Sequence, residues 1–475
     1  MRRTKIICTI GPATRAPERL RALIDAGMNV ARLNFSHGEF AEHAQTIRDI
    51  RAQAETTQGP IAILLDLPGP KIRIGEIQGG TVWLERGQEF VLTSRMVSGS
   101  ADEASLPNQE VRKAVKPGDS VFLDDGSIHL KVLSTNDTDI RTRVLVGGNL
   151  SSHKGVAVPG VRLDIATITQ RDLDALAFGV EHGVDWFAAS FVRSAADLNT
   201  LRAHQTALGA SIPIIAKIEK HEAVSDIDAI IDAADAVMVA RGDLGVDVDI
   251  WRVPTIQKDI IRRCNCVGKP VITATQMLES MTYNPRPTRA EVTDVANAIL
   301  DGTDCVMLSG ETAIGKYPTE TVAMMVEIAR NVETTLDFGG ILKTRMEDQA
   351  HTVTDSISAA TVVVAGHLNA AAILTATSSG STARMISRYR PKSPIIGVTT
   401  QPETYRRLAL SWGVNPVLAP MADSIEGTLD ASFNSARDAG LVSPGDIVVL
   451  TGGLPVGVPG NTNLIRVATV EEAGG

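Results

Sequence analysis

Eight short apolar, β-rich runs recur along the first two thirds of the chain, each followed by a longer amphipathic stretch. They are Lys5–Ile10, Met28–Leu33, Ile61–Asp66, Val184–Ser190, Pro213–Ile218, Ala236–Ala240, Lys269–Thr273 and Cys305–Ser309. Strands alternating with helices predict parallel β/α units. An open doubly wound sheet has the same local pattern, but a count of eight predicts a closed (β/α)8 TIM barrel.

The gap between the third and fourth runs is far too long for a loop. It holds short alternating β segments with turn signals at Lys116-Pro117-Gly118-Asp119 and Asp124-Asp125-Gly126. An inserted β-barrel lid domain over the barrel mouth is expected there. Tyr317 to about Leu336 reads as helix, and the less patterned Asp337–Gln349 as a boundary. Strands expected at Ala372–Thr377, Pro394–Val398, Val414–Leu418, Asp446–Thr451 and Leu464–Val470 form a C-terminal α/β regulatory domain. The fold class is therefore α/β in three domains: a barrel over 1–69 and 166–340, a lid over 70–165, and a regulatory domain over 345–475.

Composition narrows the function. The 46 basic and 55 acidic residues give a formal charge of −9, which disfavours nucleic-acid binding. No apolar run approaches the roughly 18 residues of a membrane helix. The apolar stretch Ile6–Ile10 is too short for a signal peptide and meets Gly11-Pro12. A cytoplasmic enzyme with no membrane partner is expected. Four cysteines make no disulfide framework, and Cys264-Asn265-Cys266 reads as ordinary helix.

Polar residues gather just after the apolar runs, where β/α barrels carry their chemistry. In Ala216-Lys217-Ile218-Glu219 the alternation puts Lys217 and Glu219 on one strand face. Asp243 follows the next strand behind Arg241-Gly242. Two such carboxylates suit one Mg²⁺ through hard oxygen ligands, and Lys217 suits a phosphate or enolate charge. A structural ion pair beside a turn aspartate is the alternative. Arg32, Arg73 and Lys154 are candidate phosphate binders, and Arg32 stands out inside an apolar strand. The polar stretch Met281–Asn297, with Arg286, Arg289, Glu291 and Asp294, reads as a subunit interface or loop anchor as readily as a catalytic loop. In the last domain, Thr377-Ser378-Ser379-Gly380-Ser381-Thr382 joins a strand to a helix and offers backbone N–H groups to an anion. Gly452–Asn463 is expected as the opposite wall.

Taken together, Thr4–Thr14 (TKIICTIGPAT), Met28–Gly38 (MNVARLNFSHG), Lys217–Glu219, Met238–Gly245 (MVARGDLG), Lys269–Met281 (KPVITATQMLESM), Pro287–Asn297 (PTRAEVTDVAN) and Leu308–Thr312 (LSGET) strongly resemble the pyruvate kinase family over essentially the whole chain. The resemblance implies phosphoryl transfer from phosphoenolpyruvate to ADP, giving pyruvate and ATP at the last step of glycolysis. It implies Lys217 against the phosphoryl group and Glu219 and Asp243 on Mg²⁺ (or Mn²⁺). Gly242, Asp243 and Thr275 would hold the substrate carboxylate, with Thr275 near the carbon that gains a proton. Arg32 and Arg73 would contact phosphate, and Asn34, His37, Lys154 and Arg73 would lie near the nucleotide. A homotetramer is implied, together with activation by a phosphorylated effector, AMP or a sugar monophosphate, at residues 377–382.

One departure concerns K⁺. Many family members hold it with residues matching Asn34, Ser36, Asp66 and the carbonyl of Leu67, and carry a glutamate where this chain has Lys71. The chain resembles the K⁺-independent branch, in which the Lys71 ammonium replaces the cation. Pro68 departs even from that branch, which often has glutamine there. A Mg²⁺-dependent barrel enzyme acting on an enolate without ADP is the rival reading, and a silent homologue is a second. ADP-dependent turnover separates both from a kinase.

Overall fold

The computed structural model describes residues 2–57, 59–347, 352–422, 425–453 and 461–471. Eight parallel strands close into a barrel: Lys5–Thr9, Val30–Asn34, Ala62–Asp66, Trp186–Ala189, Ile214–Ile218, Ala236–Ala240, Val271–Ala274 and Cys305–Leu308. Each falls within or just beyond one of the eight apolar runs. Sequence neighbours pair around the ring, and the first strand closes on the eighth with Lys5 opposite Cys305. Alternation sends Ile7, Val30, Leu64, Trp186, Ile215, Met238 and Ile272 inward. The intervening residues pack outward under the helices.

The floor of the barrel is plugged from another part of the chain. Ala409 and Leu410, in the short turn Leu408–Leu410, belong to the same inner cluster. Around the plug, Arg390 Nη1 donates to Asp304 Oδ1 at 2.9 Å, and Lys5 Nζ donates to the Val414 carbonyl at 2.7 Å.

Between the third and fourth barrel strands stand a six-stranded and a two-stranded sheet with their own apolar core. The turn at Asp124-Asp125-Gly126 takes left-handed backbone (φ 50°, 52° and 88°) between two antiparallel strands. A short helix, Gln109–Ala114, is capped by Asn108; it was not expected in an all-β insertion. The chain re-enters the barrel through Gln170–Glu181, whose Thr169/Asp172 capping box fixes its start.

After the barrel comes the helix Pro318–Glu333. The next stretch differs from the expected unpatterned boundary. It is a helix, Phe338–Glu347, started by Asp337 Oδ1 accepting from Gly340 N at 3.0 Å. The last domain is a five-stranded sheet with the strand from Ala372–Ala376 at its centre. Four strands are parallel, and Leu464–Thr469 runs antiparallel to Ile447–Gly452. Among the described residues no helix is long and apolar enough to cross a membrane.

Candidate active site

A chain of buried charges runs across the C-terminal ends of the second to fifth barrel strands. Arg32, inside its apolar strand, turns its guanidinium onto Asp66: Nε donates to Oδ2 at 2.7 Å and Nη2 makes a second bond to the same oxygen. Its Nη1 donates to Thr9 Oγ1 at 2.9 Å. The other Asp66 oxygen takes the Ser190 hydroxyl at 3.3 Å and lies 3.3 Å from Lys217 Nζ. Lys217 Nζ also donates to Ser190 Oγ at 2.7 Å and pairs with Glu219 Oε1 at 2.8 Å. Glu219 Oε2 accepts from Phe191 N at 2.8 Å.

Electrostatics follow from that arrangement. Burial works against the Lys217 charge, but Asp66 and then Glu219 more than offset it, so its pKa stands above the ordinary lysine value. Burial also opposes the Asp66 charge, and Lys217 and Arg32 overcome it, leaving its pKa below the usual carboxylate range. Glu219 goes the other way. Burial raises its pKa, Lys217 opposes that, and Asp243 raises it further. A buried carboxylate crowded by a second carboxylate is short of positive charge, so this pair fits a divalent cation. The Asp243 carboxylate makes no hydrogen bond or ion pair among the described residues, leaving its oxygens open to such an ion.

The next two strands bring Gly242 and Thr275 together. Gly242 N donates to Thr275 Oγ1 at 2.7 Å, and that hydroxyl donates to Ala274 O at 2.6 Å. Thr275 and Gln276 both have left-handed backbone (φ 68° and 54°).

Above the mouth, barrel and lid enclose a cleft of about 320 Å³ lined by His37, Lys71, Arg73, Lys154, Glu219 and Asp243, among others. The lid supplies Lys154, paired with Asp124 at 2.7 Å, and Arg73 Nη1 donates to His153 O at 2.8 Å. Burial, then the charges of Lys71, Arg73, Arg171 and Arg32, hold the His37 pKa below its ordinary value. Lys71 is exposed and makes no ion pair among the described residues. Asn34 Oδ1 accepts from Ser36 N at 3.1 Å, and Leu67 is buried with its N–H on Ala188 O at 2.9 Å.

Residues 377–382 stand apart, in the last domain. Thr377, Ser378, Ser379 and Thr382 line a second cavity of about 410 Å³. Gly380, at φ 80°, caps the helix Ser381–Arg388. Gly452, Gly453 and Asn461 form part of the facing wall; the rest of that expected wall, residues 454–460, lies outside the described residues.

Sequence reasoning passed over Ser190, which bridges Lys217 and Asp66, and Arg241, whose side chain reaches five acceptors. Ser190 closes the fourth apolar run, in the strand-end position that singled out Asp66. That position was the available signal.

The comparisons with known proteins agree with this geometry. A family model described as pyruvate kinase, barrel domain, matches residues 1–322, and one described as pyruvate kinase, alpha/beta domain, matches residues 355–468. Pyruvate kinase of Geobacillus stearothermophilus is 48% identical over 474 residues, 99% of this chain and 81% of that protein. Pyruvate kinase 2 of Synechocystis sp. is 48% identical over 99% of this chain and 80% of its own length. Pyruvate kinase of Clostridium acetobutylicum is 44% identical over 99% of this chain and 100% of its own length. With both domains matched and relatives aligned along nearly its full length, this chain belongs to the pyruvate kinase family of phosphotransferases.

Proposed function

We propose that the chain transfers the phosphoryl group of phosphoenolpyruvate to ADP, giving pyruvate and ATP. The observation that carries this reading is Lys217, an ammonium buried beside Glu219 and Asp66 where the strand ends open beneath a cleft that carries both cations, Lys71, Arg73 and Lys154 among them, and carboxylates. Phosphoryl transfer is mainly positioning plus neutralisation of charge on the moving oxygens. Lys217 meets the transferring group, and Arg32 and Arg73 grip its oxygens. Lys217 has three N–H bonds, and Glu219, Ser190 and Asp66 surround them. Substrate therefore takes the place of one of these partners. Gly242, Asp243 and Thr275 receive the carboxylate end, and Thr275 stands where the enolate carbon is protonated. Asn34, His37, Lys154 and Arg73 face the nucleotide.

Glu219 and Asp243 would hold Mg²⁺ or Mn²⁺, which when bound polarises substrate oxygens and offsets enolate charge.

The same reading makes turnover independent of K⁺. Support comes from Asp66, whose two oxygens are already taken by Arg32, Ser190 and Lys217, and from the Lys71 charge beside His37. The activator is a phosphorylated metabolite with one phosphate, AMP or a sugar monophosphate, in the cavity at residues 377–382. Hydroxyl, amide and apolar groups line that cavity, with no charged side chain among the described residues, which suits one phosphate better than two. The enzyme is cytoplasmic and a homotetramer. Ile250 and Trp251, 71% and 74% exposed, support an assembly face. The domain limits are 1–69 with 166–340, 70–165, and 345–475.

The test is pyruvate formation from phosphoenolpyruvate with Mg²⁺, with and without ADP, first in buffer free of monovalent metal cations and ammonium, then with K⁺. ADP-dependent turnover, full without K⁺, is expected. Turnover only after K⁺ removes the Lys71 argument and keeps the kinase. No ADP-dependent turnover under any condition removes the kinase.

A further inference from the structure

The motif Pro287–Asn297 has no role in the reading above, yet its helix, Arg289–Asp301, reaches the active site through one side chain. Glu291 is accounted for as an anchor: it closes the Thr288 capping box and accepts from Ser280 N and Oγ at 2.7 and 2.6 Å. Asp294, one turn on, is different. Its Oδ1 accepts from Arg241 Nη1 at 2.7 Å.

Arg241 stands at the end of the sixth barrel strand, immediately before Gly242. Its side chain is only 11% exposed. Nη2 donates to Thr275 O at 2.7 Å and Nε to Ala274 O at 3.2 Å. Those carbonyls flank the Thr275 Cα. Thr275 is β-branched and sits at φ 68°, followed by Gln276 at φ 54°. A β-branched residue adopts that backbone only where its surroundings hold it there. The guanidinium fork does so, and Asp294 fixes the fork from behind. The Ala274 carbonyl that takes Arg241 Nε also takes the Thr275 hydroxyl at 2.6 Å. The position of that hydroxyl and the orientation of Arg241 are thus set at one atom.

We infer that Arg241, oriented by Asp294, is a positioning residue for enolate protonation: it holds the left-handed Thr275–Gln276 turn and thereby sets where the Thr275 hydroxyl stands. The inference rests on the proposed reading of Thr275. In that step the electron pair of the enolate C=C bond takes a proton at the methylene carbon, and the enolate oxygen returns to a carbonyl. Solvent replaces the proton. Arg241 touches neither carbon nor oxygen.

The step is readable in reverse, as exchange of the pyruvate methyl hydrogens for deuterium in D₂O with Mg²⁺ and ATP, followed by NMR. Displacing a reacting group by about 1 Å costs on the order of 100-fold. Arg241→Ala is expected to lower both exchange and kcat by about that factor, with KM for ADP unchanged. Added guanidinium should restore part of the exchange, which it would not do for a general loss of stability. Asp294→Asn, which keeps the fork but loosens it, should lower exchange by about tenfold. Arg241→Ala with wild-type exchange overturns the inference, as does a loss confined to melting temperature or to KM for ADP. If Arg241→Ala fails to fold, Asp294→Asn decides: wild-type exchange there overturns the inference. A wild-type protein without ADP-dependent pyruvate formation overturns the functional reading first, so the two failures are distinct.

Discussion

Lys217 Nζ lies 2.8 Å from Glu219 Oε1, two residues on and just past the end of the same strand. Period-two alternation puts the two side chains on one face, and closure of the barrel brings Asp66 to 3.3 Å from the same ammonium. Lys217→Met keeps the length of the side chain and removes the charge. We expect kcat to fall by on the order of 3–4 kcal/mol in barrier, as for loss of one preorganised donor. A coupled assay with phosphoenolpyruvate and ADP measures it, and near-normal turnover rejects the role.

Asp66 holds that cluster together, so Asp66→Asn should cost stability as well as turnover. Removing one partner of a buried ion pair costs about 3–5 kcal/mol, and here it leaves Arg32 and Lys217 facing each other. The pH dependence has a definite sign. The folded-state pKa of Asp66 lies below its ordinary value, so its contribution is complete above the ordinary range. It is lost progressively as pH falls from the ordinary value to the depressed folded value, and is gone only below the latter. Denaturant melts of wild type and Asp66→Asn should converge only at strongly acidic pH. Equal stabilities at pH 7 reject the prediction.

Lys71 reaches the cleft rather than the Asp66 cluster. It is among the charges that depress the His37 pKa, after burial, and it is absent from the main influences on Asp66. Lys71→Gln should therefore raise the His37 pKa, yet leave it below the ordinary 6.5 because burial is the larger cause. The folded state resists protonating His37, so this group lowers stability as pH falls below that ordinary value. Histidine NMR titration reads the shift, and an unchanged His37 pKa rejects the placement. Lys71→Glu, restoring the residue that K⁺-requiring members carry, should make turnover depend on K⁺.

The barrel was legible because each strand announces itself locally: all eight apolar runs became barrel strands. Asp243 stood out as a polar residue just past an apolar run, and Thr275 through the family resemblance. The Leu408–Leu410 plug was not legible. Its partners lie in the barrel interior, more than a hundred residues earlier in the chain, and an Ala-Leu pair carries no sign of which cavity it fills. The helix Phe338–Glu347 was missed because Gly339 and Gly340 argue against helix, while the Asp337 carboxylate that starts it is a contact seen only in three dimensions.

Gly69 shows how the lid junction is tied to Glu219, one of the two carboxylates proposed to hold the metal. It sits at φ 65°, and a Cβ there would come within 2.6 Å of Phe191 Cδ2. Phe191 itself is left-handed at φ 55° and donates its N–H to Glu219 Oε2 at 2.8 Å. Gly69→Ala must shift the ring, and with it the N–H that orients Glu219. Weaker Mn²⁺ binding is expected, measured by electron paramagnetic resonance on the apo protein. Unchanged Mn²⁺ affinity rejects this coupling.

At the opposite end of the barrel, Lys5 makes a buried charge contact whose titration falls in an accessible window. Burial, then Arg2, lowers its pKa from 10.5 to about 8. Its ammonium donates to the Val414 carbonyl at 2.7 Å, joining the barrel floor to the last domain. Cys305 and Glu333 pull the other way but do not restore the ordinary value. The unfolded chain therefore binds more protons than the folded one between about 8 and 10.5, and stability from this group rises with pH across that window. Below it, the folded state bears the cost of a buried charge. Tyrosines and other lysines titrate in the same range, so the difference between wild type and Lys5→Met isolates the effect. Relative to that variant, wild type should gain melting temperature from pH 8 to pH 10. A difference that is flat, or that falls, means that the Lys5 ammonium is better stabilised at the floor than its burial allows.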